Sequence, residues 1–377
     1  MPEETALLVQ AQPLKEFSAR VFRKIGVGEE DARITAEILV TADLRGVASH
    51  GVAHLRRYVD GLRAGVILAR PKERIIIENP TTATIDAGGG LGQPVSFRAM
   101  QKAIEKAREF GAGFVAVRNS NHYGIAGYYA MMALPEDCIG ISMTNASPKT
   151  VPTFGRHALL GTNPIAVAAP AGTQFPFVLD MATSAVSLGK VEIADQLDLP
   201  IPPGWVIDPE GRPAQDSHRA LDELKRNAGG GLLPLGGEGD VLSGYKGYGL
   251  ALWVEIFTAL LSGAAFANLT YPKAADGSAL PANLGHFFGA WRVDGFRPIE
   301  KFKTAMDELQ QLVKRAPKGV GYDRIYVHGE KEYRAMERNQ KEGIPLNPKV
   351  AAELGAIARE LDLKFDGLAN PPSAQKS

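Results

Sequence analysis

A single cysteine in 377 residues, Cys138, leaves no intramolecular disulfide to be made, so the fold must rest on a packed core, and the composition suits a reducing compartment, the cytoplasm. Net charge is missing too: 42 Lys and Arg balance 42 Asp and Glu, and no global field draws in nucleic acid or an anionic membrane. No long uninterrupted apolar run exists. The longest stretch, Tyr248 to Phe266, is broken by Glu255 and carries Thr258 and Ser262, which reads as a buried helix and not a membrane span. Met1 to Gln10 contains Glu3 and Glu4 and has neither the basic start nor the apolar stretch of a secretory signal. Familiar nucleotide and hydrolase signatures are absent as well. The nearest approach to G-x-G-x-x-G is Gly88-Gly89-Gly90-Leu91-Gly92-Gln93, which lacks the last glycine, so an ordinary Rossmann reading fails. There is no P-loop, G-x-S-x-G elbow or H-E-x-x-H. His50 and His54 stand at a metal-ligand spacing, but no neighbouring cysteine or acid completes a set, and no metal is expected.

What is present suffices for a large core: 45% of the residues are hydrophobic, which at this length reads as two intimately packed domains. Leu14, Phe17, Val21 and Phe22 recur at helical spacing between Gln12 and Gly26, and Gly26 suits a helix C-terminal cap. A second helix is predicted over Glu30 to Leu44, and a third over Gly51 to Arg63 with Val52, Leu55, Val59 and Leu62 on one stripe. After Pro71 short β-branched runs begin, Arg74 to Glu78 and Thr82 to Asp86, separated by an Asn79-Pro80 turn. Further strands are predicted at Phe114 to Arg118, Ile139 to Thr144, Ile165 to Ala169 and Phe177 to Leu179. Helices are expected over Pro94 to Phe110 and from near Tyr123. Ala194 to Gly239, rich in Pro and Gly, reads as long surface loops with one helix near His218 to Arg226, followed by a helix over Tyr248 to Leu261. Charged amphipathic stretches return at Ile299 to Arg315, Glu330 to Lys341 and Pro348 to Leu361. The polar tail Asn370 to Ser377 is expected to fray.

The chemical signal lies in four groups of segments. The first is Arg45-Gly46-Val47-Ala48-Ser49-His50-Gly51, followed by Tyr58. Next come Asn119-Ser120-Asn121-His122-Tyr123-Gly124 and Met143-Thr144-Asn145-Ala146-Ser147-Pro148, the latter running on to Leu160-Gly161-Thr162-Asn163-Pro164. Asp180-Met181-Ala182-Thr183-Ser184, with Gly189-Lys190 after it, and Gly244-Tyr245-Lys246-Gly247-Tyr248-Gly249 complete the set.

Together these segments, between Leu14 and Pro345, resemble the malate/L-lactate dehydrogenase family of NAD(P)-dependent oxidoreductases, which is distinct from the Rossmann-type enzymes. The family also contains ureidoglycolate, sulfolactate and diketogulonate enzymes and cyclic imino-acid reductases. The resemblance implies an α+β fold in which a mixed-sheet, non-Rossmann NAD(P)-binding domain, residues 76–295, packs on a helical domain made from both chain ends, 1–75 plus 296–377. It implies a homodimer whose subunits both help enclose a site between the domains. The expected activity is hydride transfer between NAD or NADP and a small 2-keto/2-hydroxy acid, malate/oxaloacetate or lactate/pyruvate first. The alternatives are a cyclic-imine or diketo-acid reductase, a ureidoglycolate or sulfolactate dehydrogenase in the same fold, or a non-catalytic dinucleotide-binding protein.

Hydride transfer leaves or consumes a proton on the substrate oxygen, which calls for a group that titrates near working pH, and histidine fits best. His50 matches the family's proton carrier, and Ser49 before it suits an N-cap that would set His50 in the first turn of the Gly51 to Arg63 helix, where the dipole lowers its pKa. His122 matches a family position near substrate and nicotinamide. A 2-keto acid also needs a cation for its carboxylate. Many relatives carry arginine four residues after the catalytic histidine, where this chain has His54, so Arg57, Lys149, Arg156 or a protonated His54 must serve, with Tyr58 and Asn145 as further substrate contacts. By the same resemblance Asp180, Met181, Ala182, Thr183, Ser184, Ala185 and Val186 form the main cofactor segment. Tyr245 and Lys246 supply a second contact, with Lys246 neutralising phosphate, and Thr162 and Asn163 add polar partners. His328-Gly329-Glu330 stands where the family has a Pro-Gly-Glu turn.

Overall fold

Leu14, Phe17, Val21 and Phe22 all lie on the buried face of α1 (Ala11–Lys24), as their spacing requires. The protein's structure is a computed structural model, of which residues 7–365 are described, so the expected fraying of Asn370 to Ser377 lies outside the described residues. Strand β1 (Leu7–Val9) precedes α1 and pairs antiparallel with β11 (Ile344–Leu346), and α11 (Pro348–Glu360) follows, capped by Asn347 accepting from the Lys349 N–H at 2.8 Å. These elements share one core with α2 (Glu29–Leu44) and α3 (Leu55–Arg63), through Phe17, Phe22, Leu39, Leu55, Val59, Leu354 and Ile357. The two chain ends are thus sewn into one helical layer.

The second body is a seven-stranded mixed sheet in the order β2-β3-β4-β10-β5-β6-β7. Its strands are β2 (Arg74–Glu78), β3 (Thr82–Asp86), β4 (Ala112–Ser120), β5 (Cys138–Thr144), β6 (Ile165–Ala169), β7 (Phe177–Met181) and β10 (Leu284–Arg292). Only β3 and β4 run parallel, joined by α4 (Gly92–Phe110); every other neighbouring pair is antiparallel. Alternation along each strand splits the side chains between two cores. Val115, Val117, Phe288 and Ala290 face α4, α5 (Ala126–Met131) and Ile34 and Ile38 of α2, while Ala116, Ile141, Ile165 and Phe287 face α8 (Gly244–Glu255). Because α2 contributes to both the sheet core and the helical core, it is the spine between the two bodies.

Between β7 and α8 lies a satellite lobe of α6 (Leu188–Gln196), β8 (Val206–Ile207), α7 (Ser217–Arg226) and β9 (Gly231–Leu232), packed on Val186, Val191, Val206, Leu221 and Leu224. Helix α9 (Ile299–Arg315) sits against the 172–175 turn, where Asp307 accepts the N–H groups of Gly172, Thr173 and Gln174, and α10 (Glu330–Glu342) follows it. Among the described residues no helix is long and apolar enough to cross a membrane.

Four expectations need correction. The helix predicted over Gly51 to Arg63 is two 3-10 turns, Ala48–His50 and Val52–His54, and then α3, because Gly51 takes a non-helical conformation (φ −90°, ψ −147°). The helix placed near Tyr123 starts at Ala126, after Gly124 at φ +85°. α8 begins at Gly244 and passes into a π-helical turn, Ile256–Leu260. The central strand β10 was not foreseen: Gly285, His286 and Gly289 interrupt its apolar pattern.

Candidate active site

The chain leaves α2 at Arg45, turns at Gly46 (φ +75°), and threads His50 and His54 through the two 3-10 turns. His122 arrives from the other body, on the loop after β4. The glycine-rich turn that fails as a dinucleotide fingerprint serves here. A Cβ at Gly92 would stand 2.1 Å from the Asn121 carbonyl oxygen, and the Asn121 amide donates to the carbonyls of Gly89 and Gly90 at 3.2 and 2.8 Å, so the turn clamps the His122 loop.

Three imidazoles meet in a triangle. Ring centroids are 5.6 Å apart for His50 and His122, 5.3 Å for His54 and His122, and 5.8 Å for His50 and His54. Ser49 Oγ lies 2.9 Å from His50 Nδ1, and the Tyr58 hydroxyl 2.6 Å from His122 Nδ1. Burial lowers the pKa of all three: His50 through burial and then the Arg57 cation, His54 to about 4 through burial, His50 and Arg57, and His122 well below its ordinary value through burial and then Arg57. The neutral form of His50 therefore comes from burial and Arg57, and Ser49 makes no cap, since α3 starts only after His54. Arg57 donates to the Tyr271 hydroxyl at 3.1 Å and has no carboxylate partner among the described residues. Three neutral imidazoles beside one uncommitted guanidinium form a place for an anion with a proton-accepting oxygen. Among the described residues no group of three or more His, Cys, Asp or Glu is placed to hold a metal ion.

The segments expected to hold the cofactor converge on the end of β7. Thr183 N–H donates to the Thr162 carbonyl at 2.8 Å, the Thr183 carbonyl accepts the Leu235 N–H at 2.8 Å, and the Leu235 carbonyl accepts the Gly247 N–H at 3.1 Å. That ladder sets Asp180 to Val186 beside the first turn of α8, and a Cβ at Gly247 would lie 2.3 Å from Leu235 N, so the close approach needs glycine. Lys246 is exposed there without a carboxylate partner among the described residues, 5.9 Å from the Tyr245 ring. The Thr183 and Ser184 hydroxyls are spent on backbone carbonyls, so they shape the segment, and Met181, Ala182, Ala185 and Val186 flank them. The His328 carbonyl accepts the Val178 N–H at 3.2 Å and Gly329 stands at φ +90°, so the turn forms without its proline, while the Glu330 carboxylate is held by Arg324, Arg334 and Lys314. Asp180 accepts the Gly127 N–H at 2.7 Å. The imidazole segment reaches this region: a Cβ at Gly189 would be 4.0 Å from Ser49 Cβ.

Other candidates are engaged elsewhere. Lys149 Nζ donates to the Leu224 carbonyl and Asn227 Oδ1 at 2.6 and 2.7 Å, and Arg156 lies on the same segment, its carbonyl accepting the Gly230 N–H. The Asn145 side chain is buried and bonded to Glu255, Ala265 and Gly285, and Asn163 to Glu255, Ala251 and Ala146. Tyr58 meets His122. Tyr271, which steadies Arg57 from the far body, was not foreseen, since nothing in its Thr270-Tyr271-Pro272 setting marks it.

Comparisons with known proteins bear on the family and the fold. A family model described as Malate/L-lactate dehydrogenase matches residues 9–355. Malate dehydrogenase from Pyrococcus abyssi is 46% identical over 96% of this chain and 97% of its own length, and L-sulfolactate dehydrogenase from Methanocaldococcus jannaschii is 38% identical over 96% and 99%. The solved structure of malate dehydrogenase from Pyrococcus horikoshii OT3 superposes with a TM-score of 0.86 at 45% identity, covering 97% of this chain and 98% of that one. With a non-Rossmann mixed sheet, a histidine cluster at the junction of its two bodies and relatives matched over nearly their whole length, the chain belongs to the malate/L-lactate dehydrogenase family of hydroxyacid oxidoreductases.

Proposed function

We propose that this enzyme interconverts a 2-keto and a 2-hydroxy acid at the expense of NAD(H) or NADP(H), with oxaloacetate and malate as the preferred pair. The observation that carries the reading is the imidazole triangle beside the uncommitted Arg57. A dinucleotide fits the converging segments by chemistry, because a cation without a carboxylate partner, Lys246, stands at a helix start beside a small-residue segment. When bound, it supplies or accepts the hydride. The chain's own residues manage charge and protons. Arg57 holds the substrate carboxylate, and His50 exchanges the proton of the reacting oxygen. A bound carboxylate offsets the repulsion that Arg57 exerts on the imidazoles, so His50 can hold a proton for the carbonyl in the reductive direction. In the oxidative direction the neutral imidazole takes the hydroxyl proton. His122, fixed at Nδ1 by Tyr58, presents its other nitrogen to the substrate, while Met181 to Val186, Tyr245, Lys246, Thr162 and the 328–330 turn line the cofactor.

The partition at residues 75/76 and 295/296 is our proposal for the domain boundaries, supported by a helical core that joins the two chain ends and is separate from the sheet core, although α9 braces the sheet through Asp307. So is a homodimer, supported by a row of exposed apolar residues on α8 and its extension, Tyr245, Leu252, Ile256 and Leu260. The lone cysteine supports a cytoplasmic setting.

The test is loss of reduced-nicotinamide absorbance with oxaloacetate, pyruvate, sulfopyruvate and a cyclic imine, each with NADH and NADPH. Turnover should be fastest with oxaloacetate, and the two dinucleotides rank themselves in the same experiment. Folded protein that consumes neither with any member of the panel overturns the reading.

A further inference from the structure

Asp43, near the end of α2, is 4% exposed, and no ion pair involves its carboxylate among the described residues. Its Oδ2 accepts the Val52 N–H at 2.8 Å, at the start of the second 3-10 turn. Its carboxyl group also fills the space over Gly51: a Cβ there would meet Asp43 Oδ1, Cγ and Oδ2 at 2.0, 2.2 and 2.3 Å, and no other group stands closer. Gly51 has φ −90° and ψ −147°, outside the regions favoured by residues with a Cβ, so its backbone and the carboxyl group beneath it together restrict this position to glycine. From the other side, Asn339 of α10 donates to the carbonyls of Asp43 and Leu44 at 3.4 and 3.0 Å, so the anchor is fixed at its own backbone. His50 and His54 flank this contact directly, one residue before Gly51 and two after Val52.

We infer that Asp43 is a positioning residue for the reaction: by docking Gly51 and Val52 onto its carboxyl group it sets where the His50 and His54 rings stand over the substrate. The inference rests on the proton-carrying role given to His50 above. Leaving a carboxyl group buried with one backbone donor is costly, and burial pushes its pKa up to about 7. A group kept on those terms is explained by the segment it holds. Asparagine can keep the acceptor for Val52, whereas alanine cannot.

The experiment measures oxaloacetate turnover and NADH affinity, the latter by fluorescence, in Asp43→Ala, Asp43→Asn, Gly51→Ala and Gly51→Ala/Asp43→Ala. A misplaced proton carrier costs on the order of a hundredfold, so Asp43→Ala and Gly51→Ala should each lower kcat by about that factor and leave the NADH dissociation constant within about twofold. Asp43→Asn should restore kcat to within about fivefold of wild type. The double variant should be no slower than either single one, because removing the carboxyl group makes room for the new methyl. If Asp43→Ala does not fold, Gly51→Ala alone carries the test, and a wild-type rate in that folded variant overturns the inference. Wild-type rates in folded Asp43→Ala or Gly51→Ala, or a parallel fall in NADH affinity, overturn the inference. An inactive wild type would instead overturn the function proposed above.

Discussion

At the residue scale, Arg57 does two jobs that pull apart under mutation. Its charge helps burial to lower the pKa of all three imidazoles, and it is the cation proposed for the substrate carboxylate. Arg57→Met should therefore reduce kcat/KM for oxaloacetate by about a hundredfold through loss of a charge-assisted contact. It should also let the imidazoles hold their protons to higher pH. The sign follows from electrostatics: a nearby cation disfavours imidazolium, so its removal raises the pKa, and the acidic limb of the kcat/KM profile for malate oxidation, where the neutral imidazole takes the hydroxyl proton, should move toward neutral pH. A profile unchanged in shape would show that Arg57 does not face the titrating ring. His50→Ala should cut kcat by about three orders of magnitude while NADH binding persists, the pattern of a group that acts in the transition state. Rates near wild type would transfer the proton to another side chain.

At the element scale, β10 shows both what periodicity delivers and what it misses. Strands β2 to β7 follow from short apolar or β-branched runs bounded by turn residues, and α1 and α4 from helical spacing. β10 hides because its centre carries His286, a polar residue with no exposed surface. That ring is satisfied at both nitrogens, Nδ1 with Thr144 Oγ1 at 2.7 Å and Nε2 with Ser120 Oγ at 2.8 Å, and stacks on Tyr123 at 4.7 Å. It ties β10 to β4 and β5 by contacts that no local pattern announces. His50, His122 and the cofactor segments could be found from motif resemblance, but Asp43, Tyr271 and the clamp formed by Gly88 to Gly92 act through distant partners and emerge only from packing. His286→Leu should cost about 2–3 kcal/mol at pH 7, because the Thr144 and Ser120 hydroxyls lose their ring partner inside the sheet. The pH dependence is more specific. Burial drives His286 to about 3 in the folded protein against an ordinary value near 6.5, so its contribution is fully present above pH 6.5 and is lost as pH falls from there toward 3. The stability gap between wild type and His286→Leu, measured by denaturant titration, should therefore narrow on going from pH 7 to pH 5. A constant gap would mean that the ring does not titrate on unfolding.

At the scale of the whole molecule, the layer that carries His50 and His54 is held by residues from the far end of the chain. Ile344, Leu346, Leu354, Ile357 and Leu361 are all under 10% exposed in the core that contains Phe17, Phe22, Leu55 and Val59. Five such side chains at about 2 kcal/mol each amount to about 10 kcal/mol of burial, comparable to the entire stability of an ordinary domain. Arg56 and Arg63 add an ion-paired clasp on Glu360, but those pairs are largely solvated and contribute little beside the core. The sheet does not depend on this segment: its own core draws on α4, α5 and α2, and its far edge is braced by α9 through Asp307. A chain ending before Ile344 should therefore lose turnover completely, with rapid amide exchange across α1 and α3, while β4, β5 and β10 keep slow exchange. Slow exchange throughout α1 and α3 in the shortened chain, or undiminished turnover, would show that the N-terminal helices hold the imidazoles in place without their C-terminal partners.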